Sequence, residues 1–300
     1  IIYQRTIMRK PNFFIVGQTR SGTTTLFAQL KQHPDVYIVH SGREHLPPFF
    51  GFESKIRTEE EYLETHYANA KDEKRVGEKN TDNLMAQTSA SKIHHYYPDA
   101  KIIISLRNPV DMMISLHNLM SNSIVIEPIL DFEEAINAEK IREEEERLHP
   151  GKYNPNLFYR KNARYIEQVK RYVDLFGMEN IHIRIFDDFL KDPIGSYKKT
   201  CKFLDIDSNF TPTVPHENKR RVNRSRTLQS IIHKNRGNKA KKFLGKIPKI
   251  QSLYNSINRP YATEDNISNE FRQKLKNDLK PEIDELSKLL GRDLSYWCQN

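Results

Sequence analysis

Short apolar runs alternate along this chain with stretches whose apolar residues recur every three or four positions. The runs Asn12–Val16, Lys101–Leu106 and Asn180–Phe186 read as strands, with a weaker candidate over Arg75–Glu78. Helical spacing covers Thr23–Lys31, Val110–Met120 and Phe158–Phe176; the last carries Tyr165, Val169, Tyr172, Val173 and Phe176 on one stripe and stops at Gly177. Asp192-Pro193 opens another helix, with proline at a tolerated first-turn position and Tyr197, Cys201 and Leu204 on one face. Glu133–Arg147 is heavily charged and reads as a helix with a solvated face. Phe271, Leu275, Leu279, Ile283, Leu286 and Leu290 mark a C-terminal amphipathic helix with Pro281 as a candidate kink. Gly291 closes it, and Leu294 and Trp297 are expected to dock back on the core. Alternation of this kind predicts an α/β fold with a central, mainly parallel sheet flanked by helices. With no internal repeat and no low-complexity linker, 1–300 reads as one domain. Within it, 1–11 is an N-terminal extension, 216–262 a basic irregular segment and 263–300 the docking C-terminal helix.

The first strand runs into Gly17-Gln-Thr-Arg20-Ser21-Gly22-Thr23-Thr24-Thr25. A helix that opens here leaves its first-turn N–H groups without backbone partners. Those donors and the positive end of the helix dipole form an anion site. Gly17-x-x-x-x-Gly22 has the spacing of a phosphate-binding loop, so the expected three-layer α/β fold is P-loop-like. The next residue is Thr23, however, where an NTP-binding loop needs lysine. The cation, Arg20, instead sits two positions before Gly22.

A second segment repeats this logic. In Lys101-Ile-Ile-Ile-Ser-Leu106-Arg107-Asn-Pro109 a buried strand delivers Arg107 at its carboxyl end, where open α/β sheets bind ligands. Ser115 follows eight residues later on the helix that Pro109 starts. Arginine suits phosphate through its planar fork of donors and its permanent charge.

Composition changes the picture mainly through charge. The net charge of +9 is local: twelve Lys/Arg against Glu217 alone lie between His216 and Ile250, giving +11 there and leaving −2 for the rest. Such a segment is aimed at an anionic ligand or surface. Phe243 is its only aromatic residue, so no stacking platform for nucleic acid accompanies the charge, and none is expected as a partner. No window approaches 18 uninterrupted apolar residues. Cys201 and Cys298 are too few for a disulfide framework or a cysteine-rich metal site. Histidines, cysteines and carboxylates do not cluster at ligand spacing, so no metal is expected. A reducing cytoplasm fits; membrane contact stays open, as does an anchor upstream of Ile1.

With both loops present, the chain resembles the sulfotransferases that use 3′-phosphoadenosine 5′-phosphosulfate (PAPS), nearer the bacterial and heparan-sulfate type than the cytosolic small-molecule type. The resemblance runs through nearly the whole chain. His33-Pro34-Asp35-Val36 follows the first helix as in that family, and Arg43-Glu44-His-Leu-Pro-Pro-Phe49-Phe50 resembles Lys-Glu-x-x-Phe-Phe with two extra residues. Gly77-Glu78-Lys79-Asn80-Thr81 resembles Glu-Lys-Ser/Thr-Pro without its proline. Asp187-Asp188-Phe189 before Asp192-Pro193 and the closing Leu289-Leu290-Gly291-Arg292-Asp293-Leu294 with Trp297 also match. The resemblance implies a metal-independent, in-line transfer of a sulfuryl group from PAPS to a hydroxyl or amine, leaving adenosine 3′,5′-bisphosphate. It assigns Arg20, Ser21, Gly22, Thr23, Thr24 and Thr25 to the 5′-phosphosulfate, and Arg107 and Ser115 to the 3′-phosphate. By position, Lys219 and Arg220 close over the nucleotide. Glu44 is the expected general base, Lys79 and Arg20 the cations at the transferring group, and His45 a backup base. The acceptor expected from the basic surface is a glycan or glycolipid. Two other readings remain: a P-loop kinase using ATP and magnesium, which the missing lysine disfavours, and a non-enzymatic polyanion-binding protein.

Overall fold

The computed structural model describes residues 8–42, 45–52, 54–121, 126–213 and 267–299. The described residues sort into two compact units. One is drawn from Ile1–Met112, Arg164–Pro215 and Lys280–Asn300, the other from Met113–Ala163 and His216–Leu279.

The first unit holds the sheet. Its strands are β1 (Phe13–Gly17), β2 (Val36–His40), β3 (Arg75–Lys79), β4 (Lys101–Leu106) and β5 (Ile181–Ile185), in the order β2-β3-β1-β4-β5 with every neighbouring pair parallel. Helix α1 (Thr23–Leu30) follows β1 and α2 (Glu59–Tyr67) follows β2. The short α3 (Asp82–Met85) and α4 (Ser89–Tyr96) lie between β3 and β4, and α5 (Pro109–Met120) follows β4. Next come α6 (Phe132–Asn137), α7 (Glu139–Leu148), α8 (Tyr159–Ala163) and α9 (Tyr165–Phe176). Beyond β5 are α10 (Phe186–Lys191), α11 (Pro193–Phe203) and the long α12 (Asn269–Leu290).

Strand β1 is buried along its whole length, which is why its sequence is a continuous apolar run rather than an alternating one. Phe13 and Ile15 face one side, in a cluster with Leu26 and Leu30 of α1 and Tyr197 and Cys201 of α11. Phe14 faces the other, stacked on Tyr97 at 5.8 Å and edge-on to Phe50 at 5.7 Å. Helices and aromatic loops thus cover both faces, giving the three layers expected. Gly77 of β3 makes room for β1: a Cβ there would lie 2.3 Å from the Phe13 ring.

Four sequence expectations need correction or completion. Strand β2 was not foreseen, although Val36-Tyr-Ile-Val39 is β-branched and aromatic enough to qualify. Phe158–Phe176 is not one helix. Arg164 leaves the helical region (φ −80°, ψ 83°), and just before it the Asn162 amide bonds the carbonyls of Pro155 and Phe158. Glu133–Arg147 lies in two helices that abut at Ala138. Nor is its face wholly solvated: in the second unit Arg142 is buried, reaching Glu127 at 2.9 Å, and the Tyr159 hydroxyl donates to the same carboxylate at 2.8 Å.

Leu294 and Trp297 are buried, and Gly291 ends α12 at φ 59°. The tail fastens to the sheet's carboxyl edge. Trp297 Nε1 donates to Asp187 at 2.7 Å, Arg292 grips Asp188 through two bonds of 2.6 and 2.8 Å, and the Asn108 amide donates to the Trp297 carbonyl at 3.0 Å. No helix among the described residues is long and apolar enough to cross a membrane.

Candidate active site

The strand order reverses at β1, because β2 and β3 lie to one side and β4 and β5 to the other. Ligands of open α/β sheets bind outside the carboxyl ends at such a reversal. The loop from Gly17 to Gly22 sits there. The Gln18 N–H donates to the Ser105 carbonyl of β4 at 2.6 Å, tying the loop to the neighbouring strand. Arg20 takes a left-handed conformation (φ 62°), uncommon for a residue with a Cβ, and its side chain is exposed. Gly22 is also left-handed (φ 78°) and forms the N-cap of α1 with no side-chain bond to the helix. Thr23, Thr24 and Thr25 fill the first turn; Thr23 is buried and Thr24 exposed. Ser21 is buried, with its hydroxyl toward the Thr19 carbonyl at 3.4 Å.

Arg107 leaves the end of β4 toward this loop. Its Nη1 donates to the Arg20 carbonyl at 3.4 Å, and its guanidinium lies 5.0 Å from the centre of the Phe186 ring. The buried Tyr165 hydroxyl donates to the Arg107 carbonyl at 3.1 Å. Ser115 is buried two turns into α5, eight residues after Arg107. The structure thus brings Arg107 onto the backbone of the same loop that carries Arg20.

The β2–β3 corner of the edge is built differently. Lys79 ends β3 and is 4% exposed, so it does not belong to a solvated turn. Its Nζ lies 3.0 Å from His40 Nε2, and the His40 ring stacks on His45 with centroids 3.4 Å apart. Burial lowers Lys79 to about 8, Asp82 working in the opposite direction. His40 is lowered to about 3, first by burial and then by the lysine and His45, so it is the neutral acceptor for the Lys79 ammonium. Next to Lys79, Glu78 is fully buried. Ser41 and Tyr62 both donate to its carboxylate, and Tyr62 also meets Tyr67 at 2.9 Å. Burial raises Glu78 above its ordinary value, and the bonds from Ser41 and Tyr62 oppose that rise.

Glu44, Lys219 and Arg220 lie outside the described residues. On either side of the Arg43-Glu44 pair, the His45 N–H donates to the Gly42 carbonyl at 3.1 Å and the Ser41 N–H to the Lys79 carbonyl at 3.2 Å. His117 serves structure: it is buried, with Nε2 2.9 Å from the Ile129 carbonyl. Among the described residues no group of three or more histidines, cysteines and carboxylates is arranged to hold a metal ion.

Sequence reasoning gave no site role to His40, Glu78, Phe186 or Arg184. The last is 3% exposed on β5 and donates through Nε to the Ser196 hydroxyl at 3.1 Å, its guanidinium 4.4 Å from the centre of the Phe189 ring. The alternation Ile181-His-Ile-Arg184-Ile carries the signal: it puts two polar residues on one face of an apolar strand.

Residues 10–249 match the model of the Sulfotransferase domain family, and the chain belongs to that family. The crystal structure of a sulfotransferase from Alicyclobacillus acidocaldarius is similar over 96% of this chain and 99% of that one, with a TM-score of 0.70 and 28% identity. Membrane-associated sulfotransferase kil1 of Dictyostelium discoideum is 28% identical over 111 residues, which are 36% of this chain and 22% of that protein. The match therefore spans about a fifth of the length of that relative.

Proposed function

We propose that this chain transfers the sulfuryl group of PAPS to a hydroxyl or amine of a glycan or glycolipid. The observation that carries the reading is the corner where β1 and β4 end. An uncapped helix start, opened by a left-handed glycine, meets there a loop cation and the guanidinium of Arg107 on the loop backbone. The corner fits a nucleotide with anions at both ends. Gly22 leaves no room for a side chain, since a Cβ would come 2.9 Å from the Phe186 ring. The first-turn N–H groups of α1, the hydroxyls of Thr23, Thr24 and Thr25, Ser21 and Arg20 would hold the 5′ end. Arg107 would hold the 3′-phosphate.

When bound, PAPS supplies the activated sulfuryl group. The residues' share is to orient the donor, spread its negative charge and take a proton from the acceptor. Lys79, held by His40, presents an ammonium to the transferring group, and Glu44 removes the acceptor proton. The cationic segment 216–250 and the membrane association named for the Dictyostelium relative support an acceptor met at a membrane surface.

A thermal-shift titration with adenosine 3′,5′-bisphosphate, ADP and ATP–magnesium tests the reading. A ligand at 100 times its dissociation constant stabilises by about 2.7 kcal/mol, which is readily measured. The bisphosphate is expected to stabilise selectively and without metal. A preference for ATP–magnesium would point to phosphoryl transfer instead, and no response to any of the three would point to a binding protein.

A further inference from the structure

Among the described residues Arg184 is the most heavily buried cation near the sheet's carboxyl edge, and its two terminal nitrogens make no hydrogen bond there. Its described partners are the Ser196 hydroxyl at Nε and the Phe189 ring, neither of which carries charge. Burial alone lowers it, to about 10, so it stays protonated at neutral pH. The neighbouring His182 is lowered to about 4 by burial and by this same arginine, so it brings no compensating charge. A buried guanidinium with no counter-charge among the described residues is unfavourable in the ligand-free fold.

Its position explains what offsets that cost. A methyl group on Gly22 would come within 3.4 Å of Arg184 Nη1, so the guanidinium lies within about 5 Å of the residue that opens α1. It sits behind the helix start, on the side of Gly22 shared with the Phe186 ring. We propose that Arg184 is an electrostatic positioning residue for the 5′ anionic end of the nucleotide, a fixed charge behind the loop that adds to the field of the first-turn N–H groups. The proposal rests on the nucleotide reading given above. Two unit charges roughly 8 Å apart across protein of effective dielectric about 20 change a binding constant by about 30-fold. Arg184 reaches its ligand through the loop rather than by touching it, and differs in this from Arg20 and Arg107.

The test pairs adenosine 5′-monophosphate with adenosine 3′-monophosphate, each titrated calorimetrically into the wild-type chain and into Arg184→Gln, Arg184→Met and Arg184→Lys. Arg184→Gln and Arg184→Met are expected to weaken the 5′-phosphate ligand by roughly 10- to 100-fold and the 3′-phosphate ligand by less than about threefold. Arg184→Lys, which keeps the charge, is expected to recover most of the loss. The ligand-free Arg184→Met protein is expected to melt at or above the wild-type temperature, because it no longer holds an uncompensated charge. An equal loss for both ligands, or a fall in ligand-free melting temperature for both neutral variants, would mark Arg184 as structural and overturn the proposal. So would failure of both neutral variants to fold. A wild-type chain that binds neither monophosphate would instead overturn the nucleotide reading itself.

Discussion

The two corners of one sheet edge treat charge in opposite ways. At the β1–β4–β5 corner, Arg107 and Arg184 meet ring faces, a carbonyl and a hydroxyl among the described residues, with no carboxylate paired to either. At the β2–β3 corner the buried charged groups are met by polar partners within the fold: Lys79 by His40, and Glu78 by Ser41 and Tyr62. The first corner keeps cationic potential available for something outside the chain. The second fixes protonation states from within. On the proposed reading, binding an anion and moving a proton make these two different demands, and one parallel edge can serve both because each strand end is furnished separately.

Replacing the Lys79 ammonium is the most damaging way to break that contrast. Lys79→Met should lower turnover about 100- to 1000-fold while leaving bisphosphate affinity nearly unchanged, which calorimetry beside a steady-state assay would separate. The pH dependence sharpens the point. With its value lowered to about 8, Lys79 loses its proton as the pH rises past that point, and turnover should fall with it. Stability should move the other way. Between about 8 and the ordinary 10.5 the unfolded chain binds the extra proton, so this residue's unfavourable contribution is full below the window and relieved as pH rises through it. Denaturation of wild type and Lys79→Met across that range should show the rise only in the wild type.

At the other corner, Arg107→Ala should reduce discrimination between adenosine 3′,5′-bisphosphate and ADP by about 10- to 100-fold, the range of a charge-assisted phosphate contact. Discrimination retained in that variant would remove Arg107 from the 3′-phosphate site. The smallest effect should come from Tyr62→Phe, which deprives the buried Glu78 carboxylate of one donor. A loss of about 1–3 kcal/mol in chemical denaturation, with bisphosphate affinity unchanged, would mark the β2–β3 network as internal.

The anion-facing corner was the more legible of the two in the sequence. Gly17, Arg20, Gly22 and Arg107 lie within or just beyond apolar strands, so local spacing announces them. The partnered corner depends on residues far apart in the chain. Glu78 is held by Ser41, 37 positions away, and by Tyr62, 16 positions away, and no local period connects them. His40 was hidden for a second reason: its strand, β2, was not recognised. Arg184 was visible as a polar residue in an apolar strand, but its closeness to Gly22, more than 160 positions earlier, follows only from β5 pairing with β4 beside β1. The break at Arg164 inside Phe158–Phe176 was missed because an unbroken apolar stripe outweighed a single residue.

The bond from Asn108 to the Trp297 carbonyl has a consequence for how the molecule is made. Asn108 adjoins Arg107, yet its partner is synthesised 189 residues later, and Asp187 waits 110 residues for the same tryptophan. A nascent chain that has already completed all five strands still lacks this clasp on the sheet's carboxyl edge. Chains released early at a premature stop codon before Trp297 would contain all five strands and still leave that edge untied.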